Sequence, residues 1–170
     1  QEVIELPNEI LSSDSFMVSM WIYPIEEHSW SCAMYVKYET GFFGMIPLAW
    51  EGHSSFRIRD SKEVDGWYDI SGCKLQVNEW SHYVVSYNAK TETAYAYING
   101  QLVGNMKNVP GNRYAKRIVL GGDVFQPSFI GKICEVTFYN EIRDHDFVYN
   151  LHQSYVTRDD FIGFEIGIDK

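Results

Sequence analysis

The chain has 170 residues, a formal net charge of -9 and an aromatic content of 16%. This length suits one domain with a sizeable core, and the acidic charge opposes binding to nucleic acid or to anionic membrane surfaces. The longest apolar stretches are far shorter than the about 20 residues that a membrane-spanning helix needs. We therefore expect no nucleic-acid partner and no membrane insertion.

The first part of the chain predicts β-strands, because apolar residues recur there with a period of two. Residues 2–6 and 31–38 are predicted strands. Between them, residues 16–24 have one fully apolar face and end at Pro24, which cannot donate a hydrogen bond to a β-ladder. These segments indicate a domain in which each strand turns one side toward a core.

The next two strands are predicted over residues 41–50 and 55–60. If their connection is a tight hairpin, Trp50 lies opposite Ser55, and cross-strand pairing places it on the same face as Arg57. A slip of one residue in this pairing would reverse the assignment of faces.

A meander of three antiparallel strands is the clearest pattern in the chain. It follows residues 60–80, which are predicted to be an acidic loop with a short strand over residues 73–77. Within the meander, Asn99 and Gly100 supply the two positive-φ residues of a type I′ turn. The three strands are predicted over residues 83–87, 93–98 and 101–105.

One helix is predicted near the C-terminus of the chain. Asp144 is a suitable N-cap, and Phe147, Val148 and Leu151 are spaced to form a single apolar stripe. Residues 161–168 alternate again and predict a last strand. The sequence thus predicts many strands and one short helix.

Several of these segments share a pattern with a known family. Trp80 and His82 precede an apolar strand, a polar turn and an aromatic-rich strand that ends in Asn-Gly. The pattern extends to residues 16–24, 118–122 and 129–140. Together these segments, which span roughly residues 16–153, resemble laminin-G-like domains of the concanavalin-A-like, pentraxin-like group. The resemblance implies an all-β fold, a jelly-roll sandwich of two curved antiparallel sheets with one short helix.

The domain organisation follows from the same observations. No signal peptide is visible, because Gln1 opens directly into a strand-like segment. We expect residues 1–170 to be a single domain excised from a larger protein that is extracellular or on the cell surface.

The three cysteines do not form a zinc motif. Cys32, Cys73 and Cys134 are far apart in the chain and include no CxxC pair. Cys32 and Cys134 lie in strand patterns and are interpreted as small buried apolar residues. Spacing alone leaves one disulfide open and cannot choose its partners.

The sequence carries no recognised catalytic motif. Relatives that cleave polysaccharides carry Glu-x-Asp-x-x-Glu on one strand, because alternation then points all three acids into the cleft. Here Glu165 and Asp169 are the nearest approach, without a third acid, and the Arg, Gln, His and Tyr motifs of jelly-roll lyases are missing. His82 is interpreted as a half-buried structural imidazole. The chain is therefore predicted to be non-catalytic by itself.

The candidate ligand-binding residues are aromatic or cationic. They are Trp50, Arg57, Arg59, Trp67 and Tyr68. Flat rings stack on the C–H face of a sugar, and guanidinium groups bind hydroxyls or carboxylates through two hydrogen bonds. Two arginines on one face could select an anionic glycan. The alternative is that both are solvated residues of an outer strand, paired with nearby carboxylates.

Calcium is a further candidate ligand, since relatives of this fold often bind it. Asp60, Glu63 and Asp65 are the weak candidate ligands in the acidic loop. Their spacing does not match an EF-hand, and Cys134 stands where the family has an Asp in its closing strand. A plain solvated loop is the alternative.

These residues predict a lectin-like carbohydrate-binding module within a larger secreted or surface protein. Its expected partners are a glycan and the neighbouring domains of the same chain. One alternative is a structural or protein-interaction domain packed on a catalytic neighbour in a multidomain enzyme. The other is a glycoside hydrolase or polysaccharide lyase with an unfamiliar set of catalytic residues.

Overall fold

Two antiparallel sheets form the protein in this computed structural model, which describes residues 3–27, 29–112, 114–123 and 127–158. The strands of the first sheet are β1 (Ile4–Leu6), β3 (Met34–Tyr38), β4 (Gly41–Ile46), β5 (His53–Asp60), β6 (Trp67–Lys74) and β10 (Arg117–Leu120). The strands of the second sheet are β2 (Phe16–Pro24), β7 (Ser81–Asn88), β8 (Thr93–Ile98), β9 (Gln101–Met106) and β11 (Gly131–Tyr139). Their orders are β1-β10-β3-β4-β5-β6 and β11-β2-β7-β8-β9. The predicted antiparallel β-sandwich is confirmed.

The core lies between the two sheets. Alternate residues of β2 point inward, as its period-two pattern predicts, and meet the inner side chains of β4 and β5. Phe16 stacks on Phe43 with ring centroids 5.0 Å apart, and Phe43 contacts Phe56 edge to face at 5.5 Å. All three rings are buried. Their burial stabilises the sandwich by about 2 kcal/mol for each side chain.

The predicted meander is confirmed as β7, β8 and β9. Asn99 has a φ of 51° and Gly100 a φ of 77°, as the turn between β8 and β9 requires. The residue pairs of β7 and β8 run without interruption from Tyr83 opposite Ile98 to Asn88 opposite Thr93. This part of the sequence therefore determines both the strands and their register.

Strand β6 replaces most of the predicted acidic loop. Residues 67–74 pair along the edge of the first sheet, whereas the sequence analysis predicted a short strand only over residues 73–77. That prediction was wrong because β6 is an edge strand whose outer side is mostly polar. Only Ile70 is fully buried along it, so the apolar pattern is weak.

Strand β4 is shorter than predicted, and its register differs. It ends at Ile46, which lies opposite Ser55, so the predicted pairing of Trp50 with Ser55 was wrong. The offset is four residues, an even number, and it therefore leaves the face of every β4 residue unchanged. Trp50 instead begins a short 3-10 turn, Trp50–Gly52.

Two further predicted strands cover residues 31–38 and 161–168. The third predicted strand begins at Met34, because Ser31 and Cys32 make only isolated bridges. The last predicted strand, at residues 161–168, lies outside the described residues, as do Glu165 and Asp169.

The helix α1 (His145–Val156) covers the outer face of the second sheet. Val148 is fully buried there against Met17, Val84 and Tyr97. The predicted apolar stripe is thereby confirmed. No helix within the described ranges is long and apolar enough to cross a membrane.

The N-cap of α1 gives a first test of the fold. The Asp144 side chain accepts a hydrogen bond from the Phe147 N–H at 2.8 Å, as predicted. We expect Asp144→Ala to lower the free energy of unfolding by about 1 kcal/mol, because one backbone donor loses its partner. Urea denaturation measures this loss. Asp146→Ala is the control, since that first-turn acid is not the cap, and an equal loss in both variants would contradict the capping role.

Candidate functional site

The outer face of the first sheet carries two neighbouring rows of functional side chains. In one row, the strand register places Phe42, Arg59 and Trp67 side by side on β4, β5 and β6. In the next row, Gly44 is followed by Arg57 and Asp69. Residues at opposed positions share a face of the sheet, so both rows point away from the core.

Arg57 is held between two indole rings. The central guanidinium carbon lies 4.4 Å from the Trp30 ring centroid and 5.0 Å from that of Trp67. Its Nε and Nη2 donate to the two carboxylate oxygens of Asp69 at 2.7 and 2.9 Å. Ser55 donates to the same carboxylate at 3.0 Å. Arg57 therefore has a fixed geometry, and Asp69 balances its charge.

Arg59 links the same ring to the turn that leads into β6. Its guanidinium carbon lies 4.9 Å from the Trp67 ring centroid. Its Nη1 donates to the backbone carbonyls of Asp60 and of Glu63, the latter at 2.9 Å. A Cβ at Gly66 would lie 2.6 Å from this nitrogen, so the absence of a side chain there allows the contact. Arg59 thereby positions both the turn and the indole.

A groove of about 290 Å³ lies among these side chains. It is lined by Phe42, Gly44, Ile46, Arg57, Arg59, Trp67 and Asp123. Gly44 has no side chain, so the face is lower at its position than at its neighbours in the strand. Trp67 is 50% exposed, which leaves part of its ring free to contact a ligand.

Two further tryptophans lie beside this groove. Trp50 is 67% exposed and contacts the Trp30 ring edge to face, with centroids 6.3 Å apart. Trp30 in turn contacts Arg57. A continuous series of rings and a guanidinium group therefore runs from Trp67 to Trp50. Trp30 was missed by the sequence analysis, because it lies between predicted strands and its φ of 65° belongs to no regular element.

Tyr68 is not brought to the groove. It lies opposite Ile58 and packs against the core, on the other face of β6 from Trp67. Its exposed edge lines a separate cleft of about 470 Å³ with the acidic residues of the neighbouring loops. Four of the five predicted ligand-binding residues therefore share one surface, and Tyr68 lies apart from it.

The acidic residues considered for calcium lie around that separate cleft. Asp60, Glu63 and Asp65 line it together with Glu92. The Asp60 carboxylate accepts the Lys62 N–H at 2.9 Å, so one of its oxygens already has a partner. Across the described part of the chain, no three His, Cys, Asp or Glu side chains are grouped closely enough to hold a metal ion. The role of these carboxylates as calcium ligands stays a prediction.

The cysteines give the groove no reactive thiol. Cys32, Cys73 and Cys134 are all free. Cys32 lies beside Gly44, where a Cβ would be 3.4 Å from its sulfur. Burial raises the pKa of the Cys32 thiol well above its usual value, and the nearby charge of Asp123 raises it further. The thiol therefore stays protonated and is a poor nucleophile.

His82 lies on the other sheet, beneath α1. It is fully buried, its Nε2 is 2.7 Å from Ser19 Oγ, and its ring forms a cluster with the rings of Trp21 and His152, in which the centroid distances are 5.0 to 5.5 Å. Burial, together with a smaller effect of the neighbouring His152, lowers the pKa of His82 to about 3. The structural interpretation of His82 is confirmed, with the difference that the ring is fully rather than half buried.

The fold of the chain is similar to that of several solved structures. Domain 4 of AbnA, an extracellular GH43 arabinanase from Geobacillus stearothermophilus in complex with arabinotriose, is 25% identical. The alignment covers 90% of this chain and 73% of that domain, with a TM-score of 0.79. The CBM40 of the Ruminococcus gnavus IT-sialidase, bound to α2,3-sialyllactose, is 11% identical over 89% of this chain and 97% of that one, with a TM-score of 0.70.

A pentraxin is a third structural match. The SAP-like pentraxin of Limulus polyphemus is 14% identical over 89% of this chain and 73% of that one, with a TM-score of 0.66. No curated protein sequence matches the chain. A family model described as the concanavalin A-like lectin/glucanases superfamily matches residues 1–148. The chain therefore belongs to the concanavalin A-like lectin/glucanase superfamily.

Proposed function

We propose that the chain is a non-catalytic carbohydrate-binding module and that a saccharide binds in the groove beside Trp67. The observation that carries the proposal is the half-exposed Trp67 ring, whose centroid lies 5.0 Å from the guanidinium carbon of Arg57 and 4.9 Å from that of Arg59. A sugar ring can stack on such an indole while its hydroxyls bond to the surrounding polar groups. The neighbouring rings of Trp30 and Trp50 offer further contacts to a longer saccharide.

The structural matches support this proposal. The AbnA domain is described with a bound arabinotriose and the CBM40 with a bound sialyllactose. By analogy with the extracellular arabinanase, we infer that this chain is part of a larger extracellular or cell-surface protein with neighbouring domains of its own. The module would then hold that protein on its glycan.

The expected affinity follows from the number of contacts that the groove offers. Each stacked ring or charged hydrogen bond contributes about 1 to 3 kcal/mol before the cost of ordering the ligand. A few such contacts give a dissociation constant between about 1 mM and 1 μM. Binding of this strength becomes effective when several modules act on the same polymer.

A glycan array on the isolated domain, with and without a chelator, tests the proposed function. We expect binding to at least one class of glycan, and the same binding with chelator, because Trp67, Arg57 and Arg59 supply the proposed contacts without a metal ion. If no glycan binds, the proposal fails, and a structural or protein-interaction domain becomes the better hypothesis. If the chelator abolishes binding, calcium takes part and the assignment of the groove is wrong.

Substitution of Trp67 tests the site itself. We expect Trp67→Ala to weaken binding by about 10- to 100-fold, equivalent to about 1.4 to 2.8 kcal/mol, because the stacking surface is lost. Isothermal titration calorimetry measures the change. Tyr149→Ala is the matched control, since it removes an exposed ring from α1 on the opposite side of the sandwich. Equal affinities of the Trp67→Ala variant and the parent protein would place the ligand elsewhere.

A further inference from the structure

We infer that the groove accepts an uncharged saccharide and that its arginines support rings and bond to hydroxyls rather than bind an anion. The inference rests on the proposed function and specifies its ligand class. It revises the expectation, drawn from the two arginines alone, of an anionic glycan.

The first reason is the pairing of Arg57. Its fork of two hydrogen bonds is already occupied by the Asp69 carboxylate at 2.7 and 2.9 Å, and the two side chains are only 22% and 30% exposed. A carboxylate or sulfate ligand would need the same two hydrogen bonds from Arg57. An anionic ligand would have to displace Asp69, which Ser55 also holds, or lie beside a like charge.

The second reason is the charge balance of the groove. Arg59 uses its Nη1 for two backbone carbonyls and lies over the face of Trp67. The carboxylate of Asp123 lines the same groove. Two arginines and two aspartates leave a formal charge of zero in a chain whose net charge is -9. No net positive field therefore attracts an anion to this surface.

The third reason is the chemistry of the walls. Phe42, Ile46 and Trp67 offer apolar surfaces, which suit the C–H faces of a sugar. The arginines supply donors, and the Asp123 carboxylate supplies acceptors. Sugar hydroxyls can donate and accept hydrogen bonds at once, whereas a sulfate, phosphate or uronate group can only accept. The mixture of groups therefore suits a neutral oligosaccharide.

Calorimetry with neutral and anionic probes tests this inference. The neutral probes are arabinotriose, xylotriose and maltotriose, and the anionic probes are trigalacturonate, 3′-sialyllactose and a heparin-derived tetrasaccharide. We expect the tightest ligand to be neutral and its dissociation constant to change by less than about threefold between about 50 and 500 mM sodium chloride. An anionic probe that binds as tightly or tighter, or a change of about threefold or more, would overturn the inference.

This experiment distinguishes a wrong ligand class from a wrong proposed function. If only anionic probes bind in the groove, the ligand class is wrong but the module still binds carbohydrate. If no probe binds and the glycan array is empty, the proposed function fails and the ligand class fails with it.

Asp69→Asn tests the role of the Arg57 pair directly. The substitution keeps the size of the side chain and removes the charge that balances Arg57. We expect the ratio of the trigalacturonate to the neutral-probe dissociation constant to fall by about fivefold or more, and to become sensitive to salt. Asp65→Asn, on the exposed turn outside the groove, is the control and should leave the ratio within about twofold. An unchanged ratio in Asp69→Asn would show that this pair does not set the charge preference.

Discussion

Gly44→Val is expected to abolish saccharide binding while the sandwich remains folded. Gly44 lies between Tyr35 and Arg57 in the cross-strand row and forms the low point of the groove. A Cβ at this position would be 3.4 Å from the Cys32 sulfur, which is an ordinary contact, so the backbone need not move. The two additional methyl groups of valine extend into the space that a sugar would use.

The fold is expected to accept this substitution. Gly44 does not have the positive φ that would favour glycine, and valine is more favourable than glycine in a strand by up to about 1 kcal/mol. Calorimetry with the best glycan measures binding, and thermal unfolding measures stability. Ser71→Val is the matched control, because it adds the same side chain to an exposed position on β6, outside the groove. Undiminished binding by Gly44→Val would exclude the groove as the ligand site.

Acidification is expected to destabilise the protein through the buried His82. Its pKa is lowered from 6.5 to about 3 in the folded state, mainly by burial. At a pH above the unfolded pKa of 6.5 the histidine is neutral in both states, so protonation does not yet favour unfolding. As the pH falls from about 6.5 to about 3, only the unfolded state gains the proton, and up to about 4 kcal/mol of stability is lost.

The surroundings of His82 do not stabilise its protonated form in the folded state. The groups that face it are Ser19, Trp21, His152 and Tyr155, and none of them is an acid. Burial also lowers the pKa of His152, so the second imidazole resists protonation as well. His152 belongs to α1 and contacts His82 of the second sheet, and we expect this helix to separate from the sheet early in acid unfolding.

Urea unfolding between about pH 7 and pH 3 measures the effect. His82→Gln keeps a polar group near Ser19 and is expected to flatten the decline in stability, although it lowers stability at neutral pH by loss of packing. His53→Gln removes a histidine outside this cluster and is the control. A decline as steep in His82→Gln as in the parent protein would show that other groups govern acid unfolding.

The strongly periodic elements could be predicted from the sequence, because one local pattern determines each of them. Strand β2 has a continuous apolar face, the Asn99-Gly100 pair requires a tight turn, and Asp144 precedes an apolar stripe. Strand β6 could not be predicted in the same way. At the edge of a sheet it is stabilised by backbone pairing with β5. Its outer side chains are mostly polar, so the sequence shows no clear period-two apolar pattern there.

The types of residue in the candidate site could be predicted from the sequence, but the contacts between them could not. Trp67, Arg57 and Arg59 share a surface, as alternation along β5 indicates. The pairing of Arg57 with Asp69 depends on the register between β5 and β6, and the weak pattern of β6 does not encode that register. The role of Trp30 depends on a contact between distant parts of the chain, which no local pattern encodes.

The two broad sides of the sandwich are unequal, because α1 covers the outer face of only one sheet. A surface tether attached to the solvent side of this helix, for example through Asn150→Cys in a variant that lacks the partly exposed thiols of Cys73 and Cys134, would leave the opposite side of the molecule pointing toward the bulk solution. Immobilised in this orientation, every copy of the domain would present its indole-lined groove to a soluble polysaccharide. The helix is therefore a suitable handle for a glycan sensor.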